Sequence, residues 1–381
     1  MAEDWESGGF GLYLHWPFCA AKCPYCDFNS HVTKSVDHTA WRNAFVSEIE
    51  RAGQKTKGRV LHSVFFGGGT PSLMEPSTVD AIMEAVYRTW PIANDLEVTL
   101  EANPTSVEAQ KFADFHSAGI NRVSMGIQAL NDPDLVRLGR LHTAAEGLAA
   151  FDVARNTFDR VSFDLMYGRQ NQSLADWEAE LSQALSLGLD HVSLYQLTIE
   201  AGTAFGDRYK RGKLAGLPDD DLSADMYALT QDICTDHEMS RYEVSNHAKD
   251  SAESRHNLIY WRYGDYIGIG PGAHGRVTMN GTRLATEQSK LPTVWLNGEN
   301  RETQEVLSGK DQAVEFLMMG LRVAGGVDLR RFQNLAGYPI PEARIDELVD
   351  LGLLKASRTS ISLSYQGFSL LNGVLRTLLS D

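Results

Sequence analysis

Tyr13-Leu14-His15-Trp16-Pro17-Phe18-Cys19 runs through Ala20-Ala21-Lys22 into Cys23-Pro24-Tyr25-Cys26-Asp27-Phe28. The apolar stretch over residues 11–15 reads as a strand, and the three cysteines that follow it have the spacing C-x3-C-x2-C. A four-iron cluster takes one thiolate per iron, so three cysteines leave one iron open to a small molecule. An open metal position is a working one, as at zinc sites where water or substrate takes the fourth place. The alternative on spacing alone is a structural zinc completed by His15 or His31.

The chain has 381 residues, enough for one large domain and a smaller one. A net charge of −15 argues against general attraction to nucleic acid. Of four cysteines three sit in the loop, so no disulfide framework is expected and the reading favours a reducing, cytoplasmic setting. No basic stretch or apolar run follows Glu3, Asp4 and Glu6, so no secretory signal is expected. No run of about 18 apolar residues suggests a membrane span. The fourth cysteine, Cys234, falls in a helix-period stretch over 222–237 and reads as a buried apolar thiol.

β-rich runs alternate with helix-period segments, the pattern of an α/β fold with a parallel sheet. Strands are expected over 11–15, 60–66, 96–101, 122–124, 161–165 and 191–196, with helices over 37–52, 77–89, 106–118, 144–156 and 174–187. Six such units make a partial (β/α)6 barrel, in which function gathers at the C-terminal strand ends. The cysteine loop follows the first strand. Gly67-Gly68-Gly69-Thr70-Pro71 follows the second, where the backbone can approach a ligand closely, although a tight turn explains a glycine triplet about as well. Glu101, before Ala102-Asn103-Pro104, closes the third strand. Gln128, Arg140 and Asp164 stand at later element ends, each unremarkable alone.

Taken together, these motifs resemble the radical S-adenosylmethionine (SAM) superfamily, and in their order its oxygen-independent coproporphyrinogen III oxidase subfamily. The resemblance runs from about Gly11 to the C-terminus. It implies that Cys19, Cys23 and Cys26 hold a [4Fe-4S] cluster whose open iron is chelated by SAM, and that an electron from the cluster cleaves the C5′–S bond to give a 5′-deoxyadenosyl radical. Residue by residue, it implies that Gly68, Gly69 and Thr70 receive the amino group of SAM and that Glu101 is the acidic residue that holds SAM. Tyr13, Tyr25, Gln128, Arg140 and Asp164 would make further contacts. An arginine fork suits the SAM carboxylate, and Asp164 suits ribose hydroxyls.

Two departures separate the chain from the true oxidases of this subfamily. Those carry a further cysteine two positions after the third, where Phe28 stands here, and a longer N-terminal extension. Cys26-Asp27-Phe28-Asn29-Ser30 looks instead like the HemW family of haem chaperones, as does His256-Asn257-Leu258-Ile259-Tyr260-Trp261. An isolated histidine is more often a hydrogen-bonded core residue. Within the whole hexad, the resemblance implies that His256 ligates haem, with Tyr260 and Trp261 offering faces and donors to the macrocycle. The glycines over 266–275 suggest a close-packed turn at the barrel rim facing SAM, with His274 a spare ligand or a buried structural residue.

On this reading residues 1–290 form the barrel and residues 291–381 a small winged-helix-like α+β domain. Helices over 315–322 and 342–349, alternation over 360–364 and a turn at Gly367 carry that expectation. Glu342, Asp346, Glu347 and Asp350 against Arg344 give the second helix the wrong charge for phosphates. Asp219-Asp220-Asp221 reads as a solvated helix start. The resemblance implies a chaperone that passes haem to apo-cytochromes of the respiratory chain, with bacterioferritin as a haem donor, peripheral contact at the inner face of the membrane and a cluster-dependent homodimer. The alternatives are oxidative decarboxylation of coproporphyrinogen III, a related radical SAM methyl transfer, or a winged-helix regulator.

Overall fold

A computed structural model describes residues 3–298 and 301–380. Six parallel strands form its centre: β1 (Phe10–Trp16), β2 (Leu61–Gly68), β3 (Ile92–Ala102), β4 (Arg122–Gln128), β5 (Arg160–Tyr167) and β6 (His191–Gln196). Each pairs with the next in sequence, with Tyr13 beside Phe65, Leu100 beside Val123, and Asp164 beside Ser193. All six C-terminal ends therefore lie along one edge.

Period-two alternation splits the strands into two faces. Leu12, Leu14, Val64, Phe66, Val98, Leu100, Val123, Phe163 and Val192 form the main apolar core with the helices. Those helices are α1 (His38–Lys55), α2 (Pro76–Thr89), α3 (Phe112–Ser117), α4 (Ala144–Thr157) and α5 (Leu174–Leu185). Their starts are written in the sequence. Asp37 caps α1, Pro76 opens α2, and Thr143–Glu146 and Ser173–Asp176 form capping boxes on α4 and α5. The alternate residues, among them Tyr13, Ser63, Phe65, Thr99, Glu101, Ser124, Ser162 and Asp164, form the other face, which is polar and aromatic.

The expected helix over 106–118 is broken into Ser106–Ala109 and α3. The reason is Glu108, buried where it accepts from the Ser72 hydroxyl and, at 2.9 Å, from the Asn103 amide. That anchor pulls the short helix against the glycine turn. Farther on, α6 (Asp220–Asp236) starts at the Asp219 cap as expected, and Cys234 is buried, its thiol pushed up to about 12 by desolvation.

The segment after 240 departs furthest from expectation. A strand, β7 (Asn246–Ala248), joins β6 antiparallel, and α7 (Arg255–Trp261) carries the His256 hexad. Much of the stretch 266–275 is strand: β8 (Asp265–Ile269) lies parallel to β1 and β9 (His274–Met279) returns beside it, leaving a turn only at 270–273. Then β10 (Thr282–Gln288) and β11 (Glu302–Val306) complete a sheet of twelve strands, which continues past residue 290. No helix among the described residues is long and apolar enough to cross a membrane.

A second core joins α8 (Gly309–Gly320), α9 (Leu329–Ala336), α10 (Glu342–Asp350) and α11 (Leu371–Leu379) to a three-stranded wing. The wing is β12 (Val327–Asp328), β13 (Leu354–Ala356) and β14 (Ser360–Leu363), in the order β12-β14-β13. Gly367 lies in a short helix, Tyr365–Ser369, rather than in a turn, because Ser364 caps that helix at the Gly367 amide. Glu315 ties this domain to the barrel. It accepts from Tyr263 Oη at 2.9 Å and from Arg276 Nη2 at 2.7 Å.

Candidate functional site

The loop after β1 is fastened before it bears any ligand. Phe18–Cys19 pairs parallel with His31–Val32, closing the loop at its base. His15 donates from Nε2 to the Asn29 carbonyl at 2.9 Å and accepts from Tyr13 Oη at 3.0 Å. The loop's far side rests on a small apolar cluster: Phe205 donates its amide to the Pro24 carbonyl, and Tyr25 packs on the Phe205 ring. A side chain at Gly139 would strike Pro24 at 2.7 Å, so the turn before Arg140 needs its glycine.

Cys19, Cys23 and Cys26 open onto a cavity of about 300 Å³ at the C-terminal strand ends. Its wall also contains Tyr25, Gly68, Gly69, Thr70, Glu101, Gln128, Arg140 and Asp164. Eleven sequence-predicted site residues therefore meet in one place.

The glycine turn is a cradle from which β-carbons are excluded. Gly68 has φ +109°, and a Cβ there would stand 2.6 Å from the His15 ring. One on Gly69 would stand 2.7 Å from the Phe18 carbonyl. With the turn pressed onto the cysteine loop, the Gly68 amide donates to Glu101 Oε2 at 3.1 Å.

Two acids face each other across this space. Burial, and next the charge of Asp164, push Glu101 up to about 8. Burial also lifts Asp164 to about 6, against hydrogen bonds from Ser193 and Ser124 that lower it. Ser124 donates to Asp164 Oδ2 at 3.0 Å, while Asp164 Oδ1 has no partner. A cationic or hydroxyl-bearing ligand would relieve both groups.

Arg140 turns toward the cysteines. It donates to Cys23 Sγ at 3.5 Å, Asn103 Oδ1 at 2.6 Å and the Gly126 carbonyl at 2.8 Å. Gln128 ends β4 at φ +70°, an unusual backbone for a residue with a side chain. Gly126 makes room for both: a Cβ there would lie 2.9 Å from Gln128 Nε2 and 3.3 Å from Arg140 Nη2.

Four predicted residues do not line the cavity. Tyr13 stands behind its wall, stacked between Phe65 and His256 with its hydroxyl on His15. His256 is 1 % exposed, beneath the barrel interior. Its Nδ1 meets Ser63 Oγ and its Nε2 meets Tyr260 Oη, both at 2.8 Å, and burial pulls its pKa down to about 3. Glu97 holds this helix start, accepting from the Ser254 hydroxyl and the Arg255 and His256 amides. Trp261 lies under Arg322 of the second domain, 4.8 Å from the ring centroid. In this conformation the hexad closes the barrel floor. The turn at 270–273 also packs on the cysteine loop rather than the cavity: a Cβ on Gly272 would meet Asn29 at 2.7 Å. Within β9, the end residue His274 is exposed.

Sequence reasoning passed over Asn103, Ser124 and Tyr195. Asn103 bridges Arg140 to Thr70, donating to Thr70 Oγ1 at 3.2 Å, and Tyr195 lines the cavity. The available signal was position, since Asn103 and Tyr195 stand at C-terminal strand ends and Ser124 is a polar residue on the inward face of β4.

A [4Fe-4S] cluster and SAM fit this donor set. Both ring nitrogens of His15 are engaged, so it gives a zinc ion no fourth ligand. Among the described residues no three His, Cys, Asp or Glu side chains converge on one ion-sized point.

Comparison with known proteins agrees with the architecture. Residues 13–184 match the radical SAM superfamily, and residues 307–370 match the HemN C-terminal domain. Radical S-adenosyl methionine domain-containing protein 1, mitochondrial, of Bos taurus is 39% identical, covering 97% of this chain and 87% of that protein. Heme chaperone HemW of Escherichia coli is 36% identical over 97% of this chain and 98% of its own length. The solved structure of E. coli coproporphyrinogen III oxidase (HemN) superposes with a TM-score of 0.80 at 20% identity, covering 98% of this chain and 90% of that one. That likeness establishes the shared fold.

Proposed function

Because this chain belongs to the radical SAM superfamily, within the family of the haem chaperone HemW, we propose that it is a haem chaperone carrying a SAM-ligated [4Fe-4S] cluster. It binds haem and passes it to apo-haemoproteins of the respiratory chain. Apo-cytochromes at the cytoplasmic face of the membrane are the acceptors, bacterioferritin is a donor, and the homodimer depends on the cluster.

Cys19, Cys23 and Cys26 would hold the cluster, and the remaining cavity wall would hold SAM. Bound there, the pair supplies one-electron chemistry. The chain's own part is to position and to neutralise. Gly68 and Gly69 line the cavity without side chains, Glu101 would receive a cationic amino group, and Asp164 Oδ1 offers a free acceptor. Arg140 sets a positive charge beside Cys23, where it would meet the ligand carboxylate.

The observation that carries the chaperone reading over an oxidase is Phe28. It lines the mouth of the cavity and is 59% exposed, at the position where the oxidases have a further cysteine. The test is anaerobic reconstitution followed by haem binding and transfer to an apo-cytochrome. The parent protein is expected to form a stoichiometric haem complex and deliver it, with Cys19→Ser impaired, and to leave coproporphyrinogen III unchanged when given SAM and reductant. Vinyl products from coproporphyrinogen III would overturn the proposal.

A further inference from the structure

Gln128 reaches the cavity by an irregular path. β4 runs beside β5 with Met125 opposite Phe163, and pairing resumes with Gln128 opposite Leu165, so β4 carries one residue more than its neighbour over this step. Such a bulge breaks the ladder locally and re-aims a side chain. Leu165 belongs to the apolar core, yet Gln128, its register partner, lines the cavity. The left-handed backbone at φ +70° accounts for the difference. A residue with a side chain keeps that conformation only where its surroundings enforce it.

The enforcement comes from the other side of the strand. Arg169, just past the end of β5, donates from Nη1 to the Gln128 carbonyl at 3.3 Å and to the Met166 carbonyl at 2.9 Å. Its Nη2 donates to Glu180 Oε2 on α5 and lies 3.0 Å from Asp134 Oδ2. Glu180 gives its other oxygen to the same stretch of chain, Oε1 accepting from the Leu130 amide at 2.6 Å. Gln172 braces the pair, its Oε1 accepting from the Arg169 amide at 3.2 Å and its Nε2 donating to Glu180 Oε2 at 3.4 Å. Arg169 and Glu180 are both buried, and they border a separate hollow with Leu130 and Asn131. Neither lines the cavity of the cysteines, so the pair reaches that cavity through the backbone it holds. A fork is needed here, because one guanidinium serves two carbonyls and two carboxylates at once, a span beyond the compact ammonium of a lysine.

We propose that Arg169, held by Glu180, is a positioning residue for Gln128: the pair keeps the bulge and its left-handed residue in place and so presents the Gln128 side chain to SAM. The proposal rests on the SAM-binding reading of the cavity.

The test is a double-mutant cycle on SAM affinity, measured by calorimetry on the anaerobically reconstituted protein. Arg169→Lys keeps the charge and is expected to weaken SAM about tenfold in the parent, and not at all once Gln128→Ala has removed the side chain being positioned. Glu180→Gln, which preserves volume and an acceptor for the Leu130 amide, should give the same pattern more mildly and carries the test if Arg169→Lys does not fold. In the ligand-free protein both variants should speed hydrogen exchange over residues 128–131, with iron and sulfide content as in the parent. A purely structural role would cost SAM affinity equally with and without the Gln128 side chain. That equal loss, no loss at all, or unchanged exchange would each overturn the positioning role while leaving SAM binding intact. If the parent takes up a cluster and no SAM, the cofactor reading falls and this inference with it.

Discussion

The Gly68 amide donates to Glu101 Oε2 at 3.1 Å, joining the ends of the neighbouring strands β2 and β3 in the cavity wall. That single hydrogen bond does not offset burial, and Glu101 titrates near 8, with Asp164 near 6. The folded protein therefore holds protons that the unfolded chain releases in the ordinary carboxylate range. Its stability falls as pH rises through the window up to about 8. Thermal unfolding of the ligand-free protein should show a declining midpoint from about pH 5 to about pH 8, and Glu101→Gln should flatten that decline.

The same carboxyl makes SAM binding a proton-releasing event. A cationic amino group beside Glu101 favours its ionised form, so binding at neutral pH displaces a proton. Calorimetry in buffers of different ionisation heat should detect the release. Glu101→Gln should abolish it and weaken SAM by about tenfold, the loss of one charge-assisted hydrogen bond.

Gly68→Ala should cost about 1–3 kcal/mol, because φ +109° strains any other residue and the new methyl enters the His15 ring. The change reaches the cysteine loop through His15 and Asn29. A lower urea midpoint is expected, together with slower cluster reconstitution.

His256→Ala should destabilise the haem-free protein by about 2–4 kcal/mol, since it leaves a buried cavity and strips Ser63 and Tyr260 of their partner. Unfolding in denaturant without haem measures this. An unchanged midpoint would contradict the floor role of α7.

Glu315→Ala should loosen the second domain by about 2 kcal/mol, because Tyr263 Oη and the Arg276 guanidinium lose their shared acceptor. Limited proteolysis should cut ahead of α8 faster than in the parent, while SAM binding stays close to normal.

Much of the cavity was legible because parallel strands carry their C-terminal ends to one edge. Residues 19–26, 67–70, 101 and 164 are far apart in sequence, yet each follows a strand or lies on the inward face of its C-terminal half, so the alternating pattern sends them to a common rim. Asn103, Ser124 and Tyr195 were within reach of the same argument. The floor was not. His256, Tyr260 and Trp261 fall in a short helix whose position depends on Glu97, a carboxylate about 160 residues away in the chain, and no local periodicity reports that bond. The glycine-rich stretch over 266–275 misled for a related reason. Gly268 and Gly275 are needed for close strand contact rather than for a turn, since a Cβ on Gly268 would reach the His274 carbonyl at 2.0 Å.

The sequence by itself determined the α/β class, the three-thiolate loop and the set of residues at the strand ends, because spacing and period act through local geometry. Only the tertiary structure decided what the histidine of the hexad touches. Ring nitrogens are claimed by whatever oxygen the fold brings within about 3 Å. Ser63 and Tyr260 claim both of those on His256, which the alternating pattern of the chain could not announce.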